Sequence, residues 1–277
     1  MKNKILIFLK GFVFGIANII PGVSGGTIAL TMGIYEDLIS SISNIFKKFK
    51  RSMSFLLPFI LGAIISIISL SKVIDICLTK YEAITIIFFI GLIIGGIPLL
   101  FKNINIKKIT IPKFLVFLIT FSFILIITYL KSGNGNVSLN NDLITYLKLI
   151  GVGIITAATM IIPGISGSFV LMLMGYYQPL LKVINNLTSF NNITSNILLL
   201  IPLGIGVVIG ILLITKILEY LFTKYKEITY YGVIGFLFAS IITLILSISL
   251  PTNIIEIVIA ILLFVIGLFI GNKLGDQ

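Results

Sequence analysis

The chain has 277 residues, 58% hydrophobic and only 10% charged, with no histidine and a single cysteine, Cys77. A soluble domain would carry roughly a quarter charged residues, so composition excludes one; the missing side chains also exclude an intrachain disulfide, a cysteine- or imidazole-based metal site and a histidine proton relay. The formal net charge of +11 reads as lysines in the inner loops of a membrane protein, not as a nucleic-acid surface.

The chain opens with an apolar stretch, residues 4–46, broken at 21–27 by PGVSGGT. No small-x-small site follows its first run, so it is not expected to be a cleaved signal peptide. Apolar spans follow at 53–78, 83–101 and 109–130, then the polar connector KSGNGNVSLNND, 131–142. A second stretch, 143–187, is broken at 163–168 by PGISGS, and spans at 197–222, 228–250 and 252–271 complete the chain. Most runs approach the roughly 20 residues that cross a bilayer core, and none has the alternation of a barrel strand. The expected fold is an all-α polytopic membrane protein.

The two broken stretches are copies. At an offset of 142, Ile19, Ile20, Pro21, Gly22, Ser24, Gly25, Met32, Gly33, Tyr35 and Leu38 meet identical residues. At an offset of 144, Pro58 meets Pro202, Gly62 meets Gly206, Lys72 meets Lys216, Gly91 meets Gly235, and TKYEAIT (79–85) meets TKYKEIT (223–229). A collinear series implies two repeats, 1–130 and 143–277, joined by the external connector 131–142. With the N-terminus inside and each broken stretch returning to its starting side, 15 of the 20 basic residues lie inside, Lys2, Lys4, Lys10 and the run KKFKR (47–51) among them. Both termini are then cytoplasmic. Each half has an odd number of crossings, so the second copy is inverted, the arrangement of secondary transporters. Charge placement allows either a two-span hairpin or a re-entrant pair of half-helices. The short segment 4–20 and the Pro-Gly, Gly-Gly break favour the re-entrant form.

Proline removes an amide donor, and glycine adopts backbone angles closed to other residues. Such a break survives at membrane depth only when buried in protein or lining a wet cavity. One reading makes both motifs packing kinks. The other makes them a substrate site, with Ser24, Thr27, Ser166 or Ser168 capping the next half-helix and its amides gathered on an anion. On that reading the binding candidates are Pro21, Gly22, Ser24, Gly25, Gly26, Thr27, Pro163, Gly164, Ser166, Gly167 and Ser168. Lys72 and Lys216, repeat mates, either bind an anion on opposite sides or snorkel to the interfaces. Glu36 and Asp37 either end a solvated helix or carry a coupling proton or sodium ion.

IANIIPGVSGGTIALTMGIYEDLI (16–39) and IIPGISGSFVLMLMGYY (161–177) resemble the prokaryotic membrane family associated with translocation of undecaprenyl phosphate and other polyprenyl phosphates. The resemblance covers essentially the whole chain. It implies a multi-pass carrier of the cytoplasmic membrane that returns a lipid phosphate for reuse in cell-envelope polymer synthesis, with no cofactor and no catalytic residue. The second copy departs from the pattern where Ser168-Phe169 replaces Gly26-Thr27 and Gln178-Pro179 replaces Glu36-Asp37. Physical chemistry agrees with that substrate: the tail can stay in lipid, and only the anionic head needs shelter. The alternatives are a lipid-phosphate phosphatase and a small-anion or ion channel. A homodimer is compatible with the sequence.

Overall fold

The computed structural model describes residues 4–20, 23–102, 104, 109–129, 137–188, 192–249 and 253–275, with backbone alone at Ile19, Ser71, Asp75, Ser168, Phe169, Asn185, Leu187 and Thr188. Most of those residues are helical, with no strand among them. The elements are α1 (Lys4–Ile19), α2 (Gly25–Thr31), α3 (Tyr35–Ser43), α4 (Phe49–Lys80), α5 (Glu82–Phe101), α6 (Ile111–Tyr129), α7 (Leu143–Ile161), α8 (Gly167–Leu173), α9 (Tyr177–Thr188), α10 (Ile193–Lys224), α11 (Lys226–Ser247) and α12 (Ile254–Gly275). Seven of the described helices, α4 to α7 and α10 to α12, are long and apolar enough to cross a membrane. Both α4 and α10 have 32 residues, about 48 Å at 1.5 Å per residue. They overrun the expected spans 53–78 and 197–222, because hydropathy falls where polar residues begin while backbone hydrogen bonding continues. The connection before α7 ends at Asp142, whose carboxylate accepts from the Thr145 amide at 2.7 Å. That bond holds the Asp142 carboxyl below its ordinary pKa.

Glycines set the helix pairing. A Cβ on Gly11 would lie 2.1 Å from the Phe59 carbonyl oxygen and one on Gly15 would lie 2.5 Å from that of Ala63, so α1 and α4 run side by side in one direction. In the same way Gly206 meets Ile150 and Gly210 meets Ile154, which aligns α7 with α10. The remaining pairs cross between the halves. Gly91 meets Phe264 and Gly95 meets Leu268, joining α5 to α12. Helix α6 joins α11 through Gly235 against Phe117 and through the Lys113–Glu227 ion pair. The small residues recur at i, i+4, the spacing that lets helix backbones approach closely in lipid.

Helix α2 is buried along its whole length and packs on α5 where Gly96 faces Thr31. Just past its end the chain turns at Gly33 (φ 67), and past the end of α8 it turns at Gly175 (φ 75). These left-handed positions allow Ile34 N–H to reach Ala29 O and Tyr176 N–H to reach Leu171 O, the closing bond of a helix C-cap. Large apolar side chains such as Ile68, Ile119 and Phe269 face outward, as a lipid-facing surface requires. Two buried threonine hydroxyls return to their own helices: Thr156 donates to Val152 O and Thr215 to Ile211 O. Lys10 is buried in α1, where its ammonium donates to Met32 O at 2.6 Å.

Candidate functional site

The two breaks have the same local geometry. Ser24 precedes α2 with φ −87 and ψ 129, and Ser166 precedes α8 with φ −92 and ψ 125. Both are extended, and neither hydroxyl caps its own helix, a departure from the capping role expected of them. Gly25 lies against Asn18 and Phe14 of α1, and Gly167 against Met160 and Thr156 of α7. Each pair of neighbours is separated by the repeat offset.

The breaks dock on each other through Thr27 and Tyr35 of the first half. The Gly164 amide donates to Thr27 Oγ1 at 2.8 Å, and the Tyr35 hydroxyl donates to Ile161 O at 3.0 Å. Ser24 Oγ stands 3.5 Å from Ile162 O. Gly26 is required here: an added Cβ would sit 2.6 Å from Ile161 O. Beside this seam lies a cavity of about 700 Å³ lined by both breaks, with Ser24, Gly25, Gly164, Ser166 and Gly167 among its walls. The ends of α6 and α11 add Thr128, Thr243 and Ser247, and α9 adds Tyr177. No charged side chain is among the described lining residues. Hydroxyls, amides and apolar walls suit a small polar group attached to something greasy.

The family model described as undecaprenyl phosphate translocase-like matches residues 14–256. The chain belongs to that family. Among the relatives of this undecaprenyl phosphate translocase-like protein, the polyprenyl-phosphate transporter of Staphylococcus aureus (strain NCTC 8325 / PS 47) is 35% identical over 276 residues, covering 98% of this chain and 96% of that one. The polyprenyl-phosphate transporter of Vibrio cholerae serotype O1 (strain ATCC 39315 / El Tor Inaba N16961) is 33% identical over 241 residues, covering 82% and 73%. These names describe transporters, not enzymes. No solved structure matches the chain.

Of the residues singled out from the sequence of this family member, Ser24, Gly25, Gly164, Ser166 and Gly167 meet at the cavity. Gly26, Thr27 and Pro163 form the seam behind it. Pro21 and Gly22 lie outside the described residues, and Ser168 is described by backbone alone. Lys72 and Lys216 are exposed on α4 and α10, away from the lining. Glu36 accepts a hydrogen bond from Tyr230 and pairs with Lys226 at 3.2 Å. Asp37 follows it on α3, partly buried. Sequence reasoning passed over Asn18, Tyr35, Tyr177, Thr243 and Ser247. Tyr35 and Tyr177 did stand among the repeated identities; the other three carry no pattern of their own and are gathered only by folding.

Proposed function

We propose that the protein moves a polyprenyl phosphate such as undecaprenyl phosphate across the prokaryotic cytoplasmic membrane, the phosphate held between the two breaks and the prenyl tail remaining in lipid. The observation that carries this reading is the cavity walled by the two matched breaks, in a chain whose relatives are named polyprenyl-phosphate transporters. An isolated charge in hydrocarbon costs several kcal/mol or more. The hydroxyls of Ser24 and Ser166 on the cavity wall would lower that cost, and the apolar walls would admit the first isoprene units.

The reading includes inverted repeats 1–130 and 143–277, with both termini cytoplasmic. Parallel α1 and α4 support a chain that returns to the end where it began. Helices α2 and α3, with 7 and 9 residues, are about 10 and 14 Å long, which favours a re-entrant pair. Glu36 is the proposed coupling carboxylate, for a proton or a sodium ion, and Lys72 and Lys216 are proposed to attract phosphate at opposite interfaces. Liposomes containing labelled undecaprenyl phosphate test the function. Transfer between leaflets with the phosphate intact is expected; release of phosphate, or ion current without lipid transfer, would overturn it.

A further inference from the structure

The copies share their local fold but not their docking. In the first, Tyr35 is 2% exposed and its hydroxyl reaches Ile161 O of the second half at 3.0 Å. Its ring also packs edge-on against Phe222 of α10. The counterpart, Tyr177, lines the open cavity instead. Helix α3 packs on α10, whereas among the described residues α9 has no comparable packing on α4. Ile39 on α3 is 1% exposed, and its counterpart Leu181 is 38% exposed. Asn44 donates to Glu219 across the halves, while its counterpart Asn186 is exposed. One face is therefore shut and the other open, although the repeats present matching residues to both.

The breaks explain why a tyrosine does the shutting. A helix that stops leaves its last carbonyls without intrahelical partners, and a buried carbonyl requires a donor. Prolines at equivalent positions, 21 and 163, follow α1 and α7, so both helices end with such carbonyls. Tyr35 serves the end of α7. The corresponding carbonyl at the end of α1 belongs to Ile19.

We infer that Tyr35 and Tyr177 are paired latches that close opposite faces of the protein in turn: in the alternate state the Tyr177 hydroxyl takes the Ile19 carbonyl, the present cavity closes, and the Tyr35 face opens. The exchange costs little because one carbonyl–tyrosine bond replaces another, which keeps both states accessible. This deepens the transport reading, since the site between the breaks would then face each leaflet alternately.

The test needs no substrate, so failure of lipid transfer and failure of the latch are separately visible. In a Cys77→Ser background, Ile39→Cys reports opening of the shut face by its rate of reaction with a small maleimide, with Leu218→Cys on α10 as a second reporter. Tyr35→Phe removes one hydrogen bond from the present state and should raise that rate about five-fold. Tyr177→Phe removes one from the alternate state and should lower it by a similar factor. The double Phe variant should return near the parent rate, which a loosened fold would not do. A rate unchanged in both single variants, or raised in both, would overturn the latch.

Discussion

Replacing Gly26 by alanine tests the seam between the halves through one methyl group. The added Cβ would lie 2.6 Å from Ile161 O and 3.2 Å from Pro163 N. Both are backbone atoms that cannot rotate away. Restoring ordinary contact requires the breaks to part by about 0.8 Å, which would stretch the 2.8 Å Thr27–Gly164 bond beyond hydrogen-bonding range. Overpacking of this kind costs about 1–3 kcal/mol and a lost hydrogen bond about 1 kcal/mol. Alanine returns up to about 1 kcal/mol through helix propensity in α2. The net expectation is a destabilisation on the order of 2 kcal/mol. Gly151→Ala is the control: nothing lies within 4 Å of its added Cβ, so it should stabilise by about 0.4–1 kcal/mol. Thermal unfolding in detergent, beside leaflet transfer in liposomes, reads both. The reasoning fails if Gly26→Ala melts at or above the parent.

Three further expectations concern the site and its orientation. Ser24→Ala and Ser166→Ala should slow lipid transfer far more than they lower the melting temperature, and Gly25→Val should abolish transfer; Lys72→Gln with Lys216→Gln should have a smaller effect, and the opposite ranking would move the head group to the lysines. The Glu36–Lys226 pair is 42% and 48% exposed, so Glu36→Gln should cost less than about 1 kcal/mol of stability while removing the pH-gradient dependence of transport; an unchanged gradient response returns Glu36 to a purely structural role. Single cysteines at Asn140 and Lys47 in a Cys77-free background should react with impermeant reagents from opposite sides of the membrane, and labelling from one side would refute the inverted arrangement.

Most of the helices were legible in the sequence because each rests on local chemistry. An apolar run of about 20 residues in lipid has to satisfy its backbone internally and becomes a helix. Pro-Gly followed by Ser-Gly interrupts one wherever it occurs. The doubled motif therefore pointed to residues that do come together, Ser24 and Gly25 with Ser166 and Gly167. Lys72 and Lys216 show the limit of that approach. A charge in an apolar run stands out equally whether it lines a cavity or reaches toward an interface, and only its place on the helix surface separates the two.

The sequence by itself determined the helices, the breaks and the recurrence of the motif, since these follow from hydropathy, backbone preference and residue identity along the chain. Tertiary structure alone decided that α5 pairs with α12 and α6 with α11. Apolar helices are nearly interchangeable in hydropathy, and the choice among partners rests on how small residues such as Gly91 and Gly95 meet the opposing backbone. It also decided that Tyr35 is buried at the seam while Tyr177 faces the cavity. Two copies with the same residues cannot announce that difference, because it belongs to one docking of the halves rather than to either half.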